Sequence, residues 1–109
     1  MPIVFIVEDN HYGISTNTDK LNPFKLNVFH ESHLLHLDAR HPDRVFETLR
    51  PVILKARHGG GPTVVLADLD RLCSHTSSDD HRVYRPQEEI DAMLQRDPIK
   101  VYANELIAA

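Results

Sequence analysis

Tryptophan is absent from the chain, and aromatic residues make up only 6% of its 109 residues. Any folded core must therefore be built mainly from aliphatic side chains, within a total hydrophobic content of 41%. A chain of this length forms one small domain at most.

Cysteine is also scarce, because Cys73 is the only one in the chain. A single thiol cannot close an internal disulfide, which indicates a reducing compartment. No apolar run is long enough to span a bilayer, and the first residues have the pattern of neither a signal peptide nor a transit peptide. We therefore expect a cytoplasmic chain with no membrane partner.

Basic residues are fewer than acidic residues. Lys and Arg total 12 against 16 Asp and Glu, which gives a formal net charge of -4 with His neutral. No basic cluster is present, and this argues against nucleic acid as a partner.

Three short apolar runs divide the chain at residues 3–7, 34–38 and 63–68, and each leads into an acidic residue. Short unbroken apolar runs are typical of strands buried on both faces. A long irregular connection is expected over residues 17–33, between the first two strands. The order strand, crossover, strand, helix, strand predicts an α/β fold with a mainly parallel sheet flanked by helices.

Helix signals fill the rest of the chain. Pro42 and Asp43 are typical of a helix start, and an apolar stripe continues to Ala56, with a kink expected at Pro51. The glycines at 59–61 then end this helix.

Two further helices are predicted after the third strand. One begins near Pro86 and the other near Pro98, since proline is favoured in the first turn. The residues expected to bury the first of these helices are Ile90, Met93 and Leu94. Those expected to dock the second are Val101, Leu106 and Ile107.

Polar residues follow the first predicted strand, where Glu8, Asp9 and Asn10 precede Tyr12 and Gly13. In open α/β sheets, ligands bind just outside the carboxyl ends of strands. An Asn side-chain oxygen, with backbone carbonyls freed by a turn, supplies hard oxygen ligands suited to Mg²⁺. The residues alone leave an ordinary turn as the alternative, because Asp and Asn are common turn residues.

A second polar stretch follows the third strand, over residues 71–85. It contains His75, several Ser and Thr residues, and the acids Asp79 and Asp80. A Ser/His/Asp catalytic arrangement would need a nucleophile elbow, and no Gly-x-Ser-x-Gly segment is present. A solvated polar loop is the alternative from the residues alone.

His30, His33 and His36 are spaced three apart, which raises the possibility of a zinc site. Neither a helix nor a strand places all three on one face, and no cysteine lies nearby. Scattered surface histidines are the alternative interpretation.

Taken together, the two polar stretches resemble the alpha subunit of the thiamine-diphosphate-dependent first component of 2-oxo acid dehydrogenases, of the pyruvate or branched-chain type. Val-Glu-Asp-Asn-x-Tyr-Gly-Ile-Ser-Thr is similar to the second half of that family's thiamine diphosphate motif, with Asp9 in place of the first of two asparagines. The residues that match the family's second motif are Arg71, His75, Thr76, Ser78, Asp79, Asp80, Tyr84 and Arg85.

This resemblance implies thiamine diphosphate and Mg²⁺ as cofactors. It implies that Asn10 binds Mg²⁺ through its side chain and Tyr12 through its backbone carbonyl, with Gly13 and Ile14 also at the cofactor. His75 is implied as a catalytic residue that reaches the diphosphate and the reacting centre. The residues expected to order its loop are Arg71, Asp79, Asp80, Tyr84 and Arg85.

Ion pairs are the expected means of ordering that loop. Asp79 and Asp80 are predicted to pair with Arg71 or Arg85, because charge-assisted arginine–carboxylate bonds are strong and directional.

The resemblance also sets an expectation for the domain. Relatives carry an upstream Gly-Asp-Gly or Gly-Glu-Gly segment whose acid is another Mg²⁺ ligand, and this chain contains neither. Residues 1–109 are therefore interpreted as the C-terminal half of a thiamine-diphosphate-binding domain whose upstream half is absent. The isolated fragment is expected to be inactive.

The implied reaction of the intact protein is oxidative decarboxylation of a 2-oxo acid with acyl transfer to a lipoyl domain. The implied partners are a beta-type subunit or fused beta-like domain and a lipoyl acyltransferase component, in an alpha2beta2-type assembly. A bacterial cytoplasm is expected rather than a mitochondrial matrix. The alternatives are an acetoin dehydrogenase alpha-type chain and a non-catalytic assembly module that has lost the cofactor.

Overall fold

The computed structural model describes residues 1–20 and 30–109. The strands in chain order are β1 (Val4–Asp9), β2 (Tyr12–Gly13), β3 (Thr16–Asn17), β4 (Leu34–Asp38) and β5 (Thr63–Asp68). The α-helices are α1 (Pro42–Arg57), α2 (Gln87–Gln95) and α3 (Pro98–Ala108). The irregular connection predicted over 17–33 overlaps β3 only at Asn17, and residues 21–29 of it lie outside the described residues.

β5 forms the centre of a three-stranded parallel sheet, with β1 on one side and β4 on the other. β2 and β3 form a separate antiparallel hairpin. The predicted α/β fold with a parallel sheet and flanking helices is thus confirmed. β4 and β5 have the predicted bounds, because each apolar run ends at the aspartate that closes its strand.

The core lies between β5, β4 and one face of α1. Val65 is completely buried, and it packs with Leu37 of β4 and Val52 of α1. A central parallel strand must be apolar on both faces, which explains the unbroken run of β5. Burial of each such aliphatic side chain contributes about 1.5–3 kcal/mol.

β1 differs from the prediction that it is buried on both faces. Phe5 and Ile6 are 50% and 52% exposed. β1 is an edge strand that pairs only with β5 in the sheet of the described residues. Its apolar run therefore presents a partly uncovered surface.

α1 begins and ends where its capping residues predict, and it continues as one helix through Pro51. Its inner side is buried at Val52 and Ala56, whereas Phe46 is 67% exposed on the outer side. Gly59 and Gly61 follow with φ of 78° and 82°, the left-handed conformation that glycine adopts freely.

The last two helices pack less than predicted. In α2, Ile90 and Met93 are buried, but Leu94 is 43% exposed. In α3, Leu106 and Ile107 are 61% and 84% exposed, so their predicted docking is wrong. None of the helices in the described residues is long and apolar enough to cross a membrane.

Candidate functional site

Each strand of the parallel sheet ends in an aspartate. The register pairs Asp9 with Asp68 and Asp38 with Asp68, which places three carboxyl groups side by side at one rim. Like charges on neighbouring strands repel, so this rim needs cations. Arg40 lies next to it, between β4 and α1.

Arg40 binds this rim through its whole guanidinium group. Its Nη1 and Nη2 donate to the two carboxylate oxygens of Asp68 at 3.0 and 3.1 Å. Its Nη1 also donates to Asp38 at 3.0 Å, and its Nε donates to Asp70 at 2.9 Å. Bidentate arginine–carboxylate bonds of this kind are among the strongest polar contacts in proteins.

Asp70 joins the rim to α2. Arg96, at the end of α2, donates to Asp70 from Nε at 3.0 Å and from Nη2 at 2.8 Å. Burial disfavours ionisation of Asp68 and Asp70. Hydrogen bonds outweigh this effect, from Arg40 and His11 at Asp68 and from Arg96 and Arg40 at Asp70. The pKa of both carboxyl groups therefore lies below the usual range.

His11 bridges this rim to the turn after β1. Its Nε2 lies 2.5 Å from Asp68 and its Nδ1 lies 2.6 Å from Asp19. Burial disfavours the charged ring, but the two carboxylates outweigh that effect and raise the pKa of His11. An imidazole with carboxylates at both nitrogens donates two hydrogen bonds, which only the charged ring can do.

The backbone at His11 is unusual, with φ of 66°. Its N–H donates to Asp9 at 3.1 Å, and its carbonyl accepts from Thr18 at 2.8 Å. Left-handed backbone is uncommon in residues other than glycine. Several contacts therefore hold position 11 in a conformation that most side chains disfavour.

Asn10 and Tyr12, the two predicted metal ligands, flank this residue. The side-chain oxygen of Asn10 accepts from the N–H of Tyr12 at 3.0 Å, which forms an Asx-type turn. A carbonyl oxygen has two lone pairs, so one remains for a second partner. The turn and the ligand interpretations are thus compatible at Asn10.

The hairpin that follows has a strained loop. Gly13 pairs with Thr16, so Ile14 and Ser15 form the loop, and Ile14 has φ of 59°. A β-branched residue at positive φ is rare and costs about 1–3 kcal/mol. Arg71 donates from Nη1 to the Ile14 carbonyl at 2.8 Å and so ties this loop to the second polar stretch.

Tyr84 connects Arg71 to Asp79. Arg71 donates from Nη2 to the Tyr84 hydroxyl at 2.6 Å, and that hydroxyl donates to Asp79 at 2.6 Å. Arg71 and Asp79 therefore interact through Tyr84, where a direct ion pair was predicted.

The predicted pairing of Asp80 with Arg71 or Arg85 is wrong. Asp80 pairs with Arg82, which donates to it from Nε at 2.9 Å and from Nη2 at 2.8 Å. These bonds lower the pKa of Asp80 to about 2. The two residues are near neighbours in the chain, so Arg82 is a cation within easy reach of Asp80.

Arg85 connects the second polar stretch to the first. It is buried, and it donates to the Arg71 carbonyl at 2.8 Å and to Glu89 at 2.9 Å. The Tyr12 hydroxyl donates to the same Glu89 carboxylate at 2.9 Å. The Arg85 guanidinium also lies 4.9 Å from the centre of the Tyr12 ring.

Aromatic contacts complete this connection. The rings of Tyr12 and Tyr84 lie 5.9 Å apart, and the Arg71 guanidinium lies 5.6 and 5.8 Å from their centres. Cation–π contacts of this kind stabilise an arrangement by about 0.5–2 kcal/mol. The structure therefore brings the Tyr12 turn and the residues Arg71, Tyr84 and Arg85 into one contact network.

His75 lies outside that network in the described part of the chain. It is exposed, and its backbone N–H donates to Asp79 at 2.8 Å. A cleft of about 230 Å³ is lined by residues that include Asn10, Tyr12 and Arg85, and His75 does not line it. Convergence of the Asn10 and His75 side chains stays a prediction.

The donor set suits a hard cation in part. Among residues 1–20 and 30–109, no group of three or more His, Cys, Asp or Glu side chains could hold a metal ion. An amide oxygen at Asn10 and a backbone carbonyl at Tyr12 are oxygen ligands of the kind that Mg²⁺ accepts. They fill only two of its positions, so the rest must come from a bound ligand or from groups outside these residues.

The three spaced histidines do not share a site. His30 accepts from the N–H of Ser32, and His33 lies 3.1 Å from the Pro62 carbonyl through Nδ1. His36 is exposed on β4. The rings of His30 and His33 meet edge to face with centres 6.3 Å apart, but the three histidines form no metal-ligand group among the described residues.

The network around Arg40 and His11 was not predicted from the sequence. A signal for it was present, because each predicted strand leads into an acidic residue and parallel strands align their ends. That alignment requires a cation at the rim, and Arg40 follows the second strand directly. The role of His11 had no such signal, since its partners Asp19 and Asp68 are distant from each other in the chain.

Comparisons with known proteins give the following relationships. The sequence model of the family described as "Dehydrogenase E1 component" matches residues 1–109. The chain is 29% identical to 2-oxoisovalerate dehydrogenase subunit alpha of Bacillus subtilis over 106 residues. This alignment covers 94% of the chain and 32% of that protein.

Two other relatives have similar identities. The chain is 30% identical to 3-methyl-2-oxobutanoate dehydrogenase subunit alpha of Mycobacterium tuberculosis (strain ATCC 25618 / H37Rv), over 93% of this chain and 29% of that protein. It is 31% identical to the mitochondrial pyruvate dehydrogenase E1 component subunit alpha of Dictyostelium discoideum, over 92% of this chain and 27% of that protein. The chain thus spans about a third of the length of the curated relatives it matches, or slightly less.

Proposed function

The chain belongs to the dehydrogenase E1 component family, and we propose that it is part of the alpha-type portion of a 2-oxo acid dehydrogenase. The complete protein decarboxylates a 2-oxo acid oxidatively and transfers the acyl group to a lipoyl domain. The observation that carries this proposal is the contact between the two polar motifs at Tyr12, Arg71 and Tyr84. Relatives named for this class of enzyme align with almost all of the chain.

In this proposal the turn after β1 holds the metal. Asn10 binds Mg²⁺ through its side-chain oxygen and Tyr12 through its backbone carbonyl, while Gly13 and Ile14 lie against the cofactor. The free lone pair on the Asn10 oxygen supports this assignment. Thiamine diphosphate, when bound, supplies the electron sink for loss of carbon dioxide.

His75 is proposed as the catalytic residue on the loop after β5. Its imidazole donates a hydrogen bond to phosphate oxygens at the mouth of the site. Arg71, Tyr84 and Asp79 hold this loop through the hydrogen bonds described above. Arg85 anchors the far end of the loop to the Tyr12 turn.

We further propose that residues 1–109 are the C-terminal half of a thiamine-diphosphate-binding domain. The half-exposed Phe5 and Ile6 of β1 support this, because an edge strand with apolar outer residues is suited to a further neighbour. A further Mg²⁺ ligand comes from the other half, so the isolated chain is inactive. A beta-type subunit or fused beta-like domain completes the cofactor site, in an alpha2beta2-type assembly with a lipoyl acyltransferase component.

The location that fits this proposal is the bacterial cytoplasm. The single cysteine, Cys73, is exposed and free, as a reducing compartment allows. The relatives named above include proteins from bacteria and one named as mitochondrial.

The test is a cofactor and substrate assay on two proteins, the 109-residue chain and the longer protein that contains it together with a beta-type partner. Dye reduction is measured with thiamine diphosphate, Mg²⁺ and a panel of pyruvate, branched-chain 2-oxo acids and acetoin. We expect turnover of a 2-oxo acid by the longer protein and none by the chain alone. Turnover of acetoin alone would instead assign the acetoin dehydrogenase reaction, and no calorimetric heat with thiamine diphosphate would indicate a non-catalytic module.

A further inference from the structure

His11 has contacts that a variable turn residue does not need. It lies between Asn10 and Tyr12, and each of its ring nitrogens meets a carboxylate from a different part of the chain. Asp19 follows the β2–β3 hairpin, and Asp68 ends the central strand of the sheet. The ring therefore connects the turn both to the hairpin and to the sheet.

Asp68 is itself fixed in position. Both of its carboxylate oxygens accept from Arg40, which also binds Asp38 and Asp70. A side chain attached to so many partners has little freedom to move. His11 is thus fastened to the rigid rim of the sheet rather than to a mobile surface group.

The backbone at position 11 needs such a support. Its φ of 66° is disfavoured for a residue with a Cβ atom. This angle sets the direction of the chain between the Asn10 side chain and the Tyr12 carbonyl. A change in φ at His11 would move one of these oxygens relative to the other.

We propose that His11 is a positioning residue for the metal turn. By binding Asp19 and Asp68 together, it holds the left-handed backbone that keeps the Asn10 amide oxygen and the Tyr12 carbonyl ready to share one divalent cation. This inference rests on the metal role proposed above for those two residues. Residues that orient metal ligands typically change metal affinity about 10- to 100-fold when they are lost.

The decisive variant is His11→Gly, because glycine adopts positive φ freely but cannot make the two side-chain contacts. His11→Asn, which tolerates this backbone and keeps one donor, serves as the partial rescue. His58→Gln is the matched control, since His58 is exposed at the opposite end of α1, away from the rim. All are made in the 109-residue chain for the exchange measurement and in the longer protein for the metal titration.

The first measurement is amide hydrogen exchange by NMR. Exchange of the Tyr12 and Thr18 amides, which bond Asn10 and the His11 carbonyl, is expected to rise about tenfold in His11→Gly. Exchange of the Val65 amide in the core is expected to stay unchanged in His11→Gly. In His58→Gln, the exchange rates of all these amides are expected to match those of the original chain. Unchanged exchange in His11→Gly would overturn the proposal.

The second measurement is titration with Mn²⁺, alone and with thiamine diphosphate, of the same variants in the longer protein with its beta-type partner, followed by electron paramagnetic resonance of the free ion. We expect Mn²⁺ affinity about tenfold weaker in His11→Gly and intermediate in His11→Asn. Equal affinity in the original chain and His11→Gly would overturn the role of His11 but leave the metal site intact. No Mn²⁺ binding by the longer protein with His11 in place would refute the metal site itself and the positioning role that depends on it.

Discussion

The two halves of the proposed site are held in very different ways. The turn from Asp9 to Tyr12 is bound to the sheet rim, the hairpin and α2 through His11 and Glu89. The loop from Leu72 to Val83, which carries His75, is held mostly by bonds within itself, such as Asp80 with Arg82. The first region joins distant elements, whereas the second bonds its near neighbours.

This difference suggests a division of roles. Bonds between distant elements break only when the elements separate, so they hold a conformation before any ligand arrives. Exposed local bonds open readily, because few buried contacts oppose their loss. The turn from Asp9 to Tyr12 is therefore held before any ligand arrives, and we expect the order of the His75 loop to be the part that a ligand changes.

The largest expected effect comes from Arg85, which joins the two regions. Arg85→Ala takes this donor from the Arg71 carbonyl, leaves Glu89 with the Tyr12 hydroxyl but without its arginine, and removes the cation from the Tyr12 ring. We expect a loss of about 2–3 kcal/mol in the free energy of unfolding, measured by urea titration. A loss below about 0.5 kcal/mol would show that the two regions are not connected through this residue.

The turn itself is expected to respond to pH. The pKa of His11 in the folded chain is raised above 6.5. Its contribution to the free energy of unfolding is therefore complete below pH 6.5 and is lost as the pH rises through that folded pKa. The pKa values of Asp68 and Asp70 are lowered below 3.8, so their contribution is complete above that pH and is lost as pH falls. Stability should therefore be greatest between these limits.

The measurement is the free energy of unfolding at about pH 5.5 and about pH 8.5, on either side of the pKa of an ordinary histidine. These groups are partly exposed and screened, so the expected decrease at the higher pH is only about 1 kcal/mol. His11→Gln should abolish most of this decrease. A decrease of the same size in that variant would assign it to other groups.

The loop is expected to respond locally to Tyr84→Phe. This change removes the hydroxyl that links Arg71 to Asp79 but keeps the ring beside Tyr12. Amide exchange at His75 should become several-fold faster, while exchange at Tyr12 should stay the same. Equal acceleration at both amides would show that the regions open together.

The smallest effect is expected at Arg82. Its side chain is 72% exposed, and its pair with Asp80 is local and solvated. Arg82→Ala should leave the unfolding transition unchanged, because exposed ion pairs contribute little. A clear destabilisation would mean that the loop depends on this pair for more than local order.

Much of the fold follows from local chemistry. The strands β4 and β5 begin and end as their apolar runs do, and α1 begins at Pro42 and ends before the glycines. These signals act over a few residues, so no knowledge of the partners is needed to interpret them. The membership of the two motifs in one family could likewise be inferred from their residues and order.

The packing of the outer surfaces could not be inferred in the same way. The apolar patterns of β1 and α3 predicted burial, yet Phe5, Leu106 and Ile107 are largely exposed among the described residues. An apolar pattern shows which side chains favour a partner. It does not show whether that partner is present in the same chain.

The sequence by itself determined the three strands of the parallel sheet, the helix starts and the two motifs, because each depends on side chains that are close together along the chain. Only the tertiary structure decided that Arg40 binds the aligned aspartates, that His11 bridges Asp19 and Asp68, and that Tyr12 meets Arg71 and Tyr84. These contacts join residues far apart in the sequence. Their partners are selected by how the strands align and where the loops cross, and no local pattern carries that information.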